Sequence, residues 1–150
     1  MVKELPVLKG LNHQKIEIKN GKYHYHYLIY QFTKRNSRVG LIDCGSRFNP
    51  YLISNAARFE NLNSEELLKQ VKIVRAFTVF QLKTALEKTL RENPDVVIIS
   101  DVDAVLKDPG IPEVERENTF ISLLSKIHRI KTPVFIVGEN FMLTNISMDN

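Results

Sequence analysis

His24 and His26 stand two residues apart in the run Gly21-Lys22-Tyr23-His24-Tyr25-His26-Tyr27-Leu28, with Asp43 and Asp101 further along the chain. Imidazole and carboxylate are the donor types of a zinc or magnesium site. At i and i+2 the two histidines share a face only in a strand; on a helix they point apart. A third ligand, His13 or Asp43, would be needed, and no spacing in the sequence guarantees one. The simpler expectation is polar filler in a loop, with no metal and no cofactor. The same run offers a second chemistry. Tyr23, Tyr25, Tyr27 and Tyr30 lie close to Lys22, Lys34, Arg35 and Arg38, and aromatic faces beside cations are what single-strand binders use. Inward packing of those rings is the competing expectation. Asp101 and Asp103 form an acidic pair that could hold Mg²⁺, although Asp is equally at home in a strand-to-loop turn.

Composition bounds the answer. A chain of 150 residues with 43% apolar side chains suits one domain with a real core. The one cysteine, Cys44, excludes an internal disulfide framework and a multi-cysteine zinc site, and reads as a small buried residue at a strand end. No apolar run approaches the roughly 18 residues of a spanning helix. The opening MVKELPVLKG lacks the apolar core of a signal peptide, so no membrane partner and a cytoplasmic location are expected. The net charge of +4 is uneven: residues 1–50 carry nine Lys/Arg against three Asp/Glu, and residues 101–150 carry five against eight. A basic N-terminal third fits nucleic acid or an acidic partner, or is simply a solvated surface.

The elements that must carry these residues alternate. Lys15–Lys19 reads as a strand and Tyr25–Lys34 as a helix. Arg38–Ile42 is a short strand, and Pro50 opens a helix through Phe59. Ser64, with Glu65 and Glu66 behind it, caps a helix to Gln70. Val71–Val74 is the third strand. Val79, Leu82, Leu86 and Leu90 repeat at helical spacing, giving a helix from Val79 to Glu92 that Asn93-Pro94 stops. Val96–Ile99 is apolar throughout, as in a strand buried on both faces. A loop with Pro109, Gly110 and Pro112 leads to a helix marked by Phe120, Leu123, Leu124, Ile127 and Ile130, and Pro133–Val137 is the last strand. This alternation predicts an α/β layered sheet, mostly parallel.

Several strings in this series resemble RecA/RadA-type recombinases. VKIVRAFTVFQLKTALEKTL (Val71–Leu90) is similar to the segment in which a strand ends in an Ala-Arg-Ala-aromatic-Thr string before a helix. LIDCGSRFNPYLI (Leu41–Ile53) resembles the strand ending in Asp-Thr-Glu with its turn into a helix. DVVIISDVDAVLKDPG (Asp95–Gly110) resembles the second phosphate-site strand and its loop, and LLSKIHRI and TPVFIVGEN the next helix and strand. The resemblance spans roughly residues 11–140. It implies a RecA-like three-layer sandwich of P-loop NTPase type, truncated, with about five core strands in a mostly parallel sheet. The single degenerate domain covers residues 1–150, as a leader (1–13), a core (14–140) and a tail (141–150).

The resemblance also implies lost chemistry. The family's first phosphate motif, G-x-x-x-x-G-K-[ST], falls on Gly21–Leu28, with His26, Tyr27 and Leu28 in place of its second Gly, its Lys and its hydroxyl residue. That loop works through glycine NH groups, a lysine charge and a hydroxyl on Mg²⁺. The water-orienting acid falls on Gly45 and the second-site acid on Ser100, with Asp101 one residue later as a candidate substitute. The sensor glutamine falls near Glu139 or Asn140. No ATPase activity is expected. The place of the first DNA-binding loop is Val105–Arg116, where Lys107 and Arg116 could touch phosphate beside Asp108, Glu113 and Glu115. The second DNA loop and the amino-terminal polymerisation arm are not recognisable.

The expectation is a non-catalytic RadA-like paralogue acting as an accessory factor in homologous recombination and DNA repair. It would bind the recombinase, another paralogue or single-stranded DNA, as a homo- or hetero-oligomer. Candidate nucleic-acid contacts are Tyr23, Tyr25, Lys34, Arg35, Arg38, Lys107 and Arg116. Three alternatives stand beside it: a stand-alone nucleic-acid binder using the basic, tyrosine-rich N-terminal third, an enzyme with a divergent site of His24, His26, Asp43 and Asp101, and a structural subunit of a larger assembly.

Overall fold

The computed structural model describes the strand Ile16–Lys19 and residues 25–138. The leader, Gly21 to His24, Glu139, Asn140 and the tail lie outside the described residues, as do the expectations placed on them.

The chain order is β1 (Ile16–Lys19), α1 (Tyr25–Thr33), β2 (Val39–Asp43), α2 (Pro50–Phe59), α3 (Ser64–Leu68), β3 (Val71–Arg75), α4 (Gln81–Arg91), β4 (Val96–Ser100), α5 (Asp103–Leu106), α6 (Glu113–Arg129) and β5 (Val134–Val137). The five strands form one sheet in the order β1-β5-β4-β2-β3, and every neighbouring pair is parallel. Parallel strands need covered faces, and β2, β4 and β5 are buried along their whole length.

Alternation along the strands builds two cores. Val39, Leu41, Val96, Ile98, Phe135 and Val137 pack with α1, α2 and α3. Ile42, Val97, Ile99, Val134 and Ile136 pack with α4, α5 and α6. The result is the expected three-layer sandwich. Gly40 is needed where α4 closes on the sheet: a Cβ there would lie 2.3 Å from Thr89 Cγ2.

Local chemistry moves several boundaries. The cap of α3 is Asn63, not Ser64, because the Asn63 side chain accepts from the backbone N–H groups of Glu65 and Glu66. Helix α4 begins at Gln81 rather than Val79: the Gln81 side chain folds back to accept from the N–H groups of Phe77 and Thr78, and this holds those residues in a turn. The loop after β4 contains the short helix α5, which the Pro/Gly signals hid, and α6 starts about two turns before Phe120. Among the described residues no helix is long and apolar enough to cross a membrane.

The edge strand β3 pairs with β2 alone among the described strands, and Lys72, Ile73 and Arg75 on it are exposed.

Candidate functional site

In parallel α/β sheets, ligand sites form beyond the carboxyl ends of the strands. Here β2 and β4 end side by side, with Asp43 opposite Ser100. Both side chains face the α1 layer and both are fully buried. Asp43 accepts from the N–H groups of Arg47 (3.3 Å) and Phe48 (3.1 Å), and the Ser100 hydroxyl lies 3.5 Å from the same carboxylate. Arg75 approaches it from β3 at 3.9 Å. Asp43 therefore holds the β2–α2 turn together, through which Ser46 passes at a φ of 54°.

Asp101 continues the cluster. Its φ of 53° places it in the left-handed region that Asp tolerates, in keeping with a turn residue. Arg47 reaches one of its oxygens at 3.1 Å, and the other is buried without a hydrogen bond. A Cβ on Gly45 would lie 2.8 Å from the Asp101 Cβ. Position 45 is thus reserved for glycine by close approach.

The first residue of α1 closes the cluster. Tyr25 is only 5% exposed. Its hydroxyl is buried among Ser100, Asp43 and Asp101 without a well-formed hydrogen bond. Burial, then the charges of Asp43 and Asp101, push its pKa above the ordinary tyrosine value. The same causes raise the Cys44 thiol, with Asp103 adding to them, so Cys44 is an inert buried group, as expected. His26 stacks between Tyr25 (4.3 Å between centroids) and Phe48 (5.3 Å), and its Nε2 accepts from the Asn49 N–H at 2.8 Å. That lone pair serves the first turn of α2. Among the described residues no group of three His, Cys, Asp or Glu side chains could hold a metal.

The tyrosines divide. Tyr27 points outward, whereas Tyr30 is buried like Tyr25. The Tyr30 hydroxyl donates to the Glu60 carboxylate and to the Ala56 carbonyl. Burial, then Glu60, push its pKa up to about 12. Tyr25 is accordingly not available to stack a base: of the two expectations for these rings, inward packing holds for Tyr25 and Tyr30, and Tyr25 is removed from the candidate nucleic-acid contacts. The signal was present: Tyr25, Leu28, Ile29 and Phe32 share the inward face of a helix. Leu28 is in the core as well.

The candidate cations also divide. Arg116 donates to the carbonyls of Asp108 (2.5 Å) and Ile111, clasping the loop before α6, so it is a structural group and not a phosphate contact. Lys107 is exposed at the C-terminal end of the sheet. Lys34, Arg35 and Arg38 are exposed at the opposite end, about 13 Å away along the length of β2. Lys34 pairs with Glu60 at 3.0 Å and lies 5.2 Å above the Tyr30 ring. Arg38 pairs with Asp95 at 3.8 Å. One nucleic-acid site cannot use both groups at once without wrapping the domain.

A groove of about 740 Å³ runs between α4 and α6, where Phe80, Lys83, Lys126 and Arg129 border it and Glu87 pairs with Lys126 at 2.6 Å. No stretch of sequence announces this groove, since its two walls come from helices far apart in the chain.

A parallel five-stranded sheet between two helical layers, with its polar cluster where β2 and β4 end, is the RecA-like arrangement. The crystal structure of the RadB recombinase shares this fold with a TM-score of 0.63 at 13% sequence identity; the match covers 89% of this chain and 64% of that one. The chain thus spans a little under two thirds of the RadB chain. No protein-family model matches the sequence, and no curated protein does.

Proposed function

We propose that this chain is a non-catalytic RadA-like paralogue that serves homologous recombination and DNA repair by docking on a recombinase or on another paralogue. The observation that carries the reading is the outer edge of β3, which no described strand pairs. An unpaired strand edge presents backbone donors and acceptors to any second strand, and proteins ordinarily cover or blunt such edges. Here the edge is flanked by apolar side chains in the open: Ile73 at 40%, Phe77 at 64% and Phe80 at 51% exposure. Phe80 also borders the groove between α4 and α6. The occupant that fits is an extended segment of the partner with apolar anchors for the edge and an acidic group for Lys83 beside Phe80.

The absence of ATP turnover is part of the same reading. Its support is that Tyr25, His26 and Leu28, aligned with the phosphate loop, pack against the domain's own residues, and that Gly45 has no room for an acid. The cluster at the C-terminal end then serves as architecture, and the partner-facing surface is what the fold retains.

The test is binding of the purified chain to a purified RadA-type recombinase and to a second paralogue. Wild-type protein binds one of them, and the double variant Ile73→Asp with Phe77→Asp binds at least about tenfold more weakly at an unchanged melting temperature. Equal binding by the variant, or no binding by wild type, overturns the reading. Millimolar Mg-ATP leaves the melting temperature unchanged; a rise of several degrees would overturn the non-catalytic part, since a ligand of the folded state must stabilise it.

A further inference from the structure

We propose that the N-terminal end of the sheet is a binding face for single-stranded nucleic acid, independent of the β3 edge. The connections that feed β2, β3, β4 and β5 (residues 33–38, 60–70, 88–95 and 126–133) carry nine Lys/Arg and five Asp/Glu. They are neighbours in space: Asp95 and Val96 donate backbone hydrogen bonds to the Arg38 carbonyl, and Val97 to that of Pro133. Strand spacing places the starts of β3, β2, β4 and β5 within roughly 15 Å of one another. At the opposite end, the connections leaving β2 and β4 (residues 43–49 and 100–113) carry two Lys/Arg and five Asp/Glu. The domain is therefore polarised along its strands.

Helix ends account for only part of this. The C-termini of α1, α4 and α6 meet at the basic end, and each carries about half a negative charge. Three such ends leave more than half of a surplus of four unbalanced. Ion pairs with acids on these connections or beside them engage Lys34, Arg38 and Lys126. Arg35, Lys88, Arg129 and Lys131 take part in no ion pair among the described residues, and Arg35, Lys88, Arg129 and Lys131 are all exposed. A face of this kind tracks a phosphate backbone without reading sequence.

An aromatic group selects the single strand. Phe59 closes α2 at this same end with 90% of its surface exposed. The next residue, Glu60, holds Lys34. A fully presented ring beside a cationic strip is a stacking platform, which an unpaired base can use and a paired one cannot. Phe59 thus takes the part that Tyr25 cannot play.

The test is fluorescence anisotropy with a labelled oligo-dT and a duplex of equal length, over a salt series. Wild-type affinity for oligo-dT falls with salt at a log–log slope of about −3, as for four phosphate contacts. The triple variant Arg35→Glu, Arg129→Glu, Lys131→Glu binds oligo-dT at least about tenfold more weakly. Phe59→Ala weakens oligo-dT several-fold and leaves the duplex unchanged. Ile73→Asp with Phe77→Asp keeps the oligo-dT affinity, so failure here and failure of partner docking are separable. Wild-type affinity retained by the triple variant overturns the proposal. So does a loss confined to Lys107→Glu at the other end, or binding to phosphatidylserine vesicles without binding to oligo-dT.

Discussion

The two ends of the sheet treat the same residue types in opposite ways. At the C-terminal end, Asp43, Ser100, Asp101, Arg47 and His26 are bonded to one another or to nearby backbone, and Tyr25 is packed over them. At the N-terminal end, lysines, arginines and Phe59 are left to solvent. Helix α1 joins the two: its first residue is sealed in, and Lys34 and Arg35 just past its end are open. Place on the scaffold, rather than residue type, decides which candidate groups are available to a ligand.

The largest expected effect tests whether the first end is held by packing. Tyr25→Ala empties a buried aromatic volume and should cost about 3–5 kcal/mol in urea unfolding. Phe59→Ala, also an aromatic deletion, should change stability by less than about 0.5 kcal/mol because its ring has little to lose. Similar costs for the two would break the contrast.

The next test asks how tightly that end is closed. Gly45→Ala places a methyl group against Asp101, where the backbone is already left-handed, and should destabilise by about 1–3 kcal/mol. Asp101→Gly in the Gly45→Ala background should recover part of that loss, since it removes the clashing side chain and suits the positive φ. No recovery would place the strain elsewhere in the turn.

The fold was largely legible because hydrophobic periodicity survives in the central strands and the longer helices. Leu82 and Leu86 mark α4, and the unbroken Val96–Ile99 run marks a central strand. What the sequence hid were contacts between distant segments. Nothing local to Gly45 announces Asp101 against it. Tyr25 reads equally as a base-stacking or an inward-packing ring until the inward face of α1 is drawn. The basic end is assembled from Arg35, Lys88, Arg129 and Lys131, which no window of sequence contains, so the charge excess appeared to belong to the N-terminal third alone. Arg116 looked like a free cation because carbonyl acceptors leave no trace in side-chain chemistry.

A finer test compares two buried hydroxyls. Tyr25→Phe removes an oxygen that is buried without a well-formed hydrogen bond, and should be neutral or stabilising by about 1 kcal/mol. Tyr30→Phe removes the donor to Glu60 and Ala56, and should destabilise by about 1 kcal/mol. The opposite signs distinguish a ring kept for its bulk from one kept for its bond. A destabilising Tyr25→Phe would mean that its hydroxyl is paired with Ser100 in solution.

The smallest effect is a pH dependence at the Tyr30–Glu60–Lys34 triad. The Glu60 carboxyl is held below the usual glutamate range by the Tyr30 hydroxyl and then by Lys34. A depressed folded pKa stabilises at pH values above the unfolded one, and that contribution fades as pH falls through the folded pKa. Tyr30 behaves in the opposite sense: its pKa of about 12 lies above the ordinary 10, so its contribution is complete below pH 10 and is lost as pH rises through about 12. Glu60→Gln keeps a hydrogen-bond acceptor but removes the charge. The gap in urea midpoint between wild type and Glu60→Gln should therefore close in acid, below the usual glutamate range. The Tyr30 phenolate, followed by ultraviolet absorbance, should titrate earlier in the variant yet still later than a free tyrosine, because burial is the larger cause of its shift.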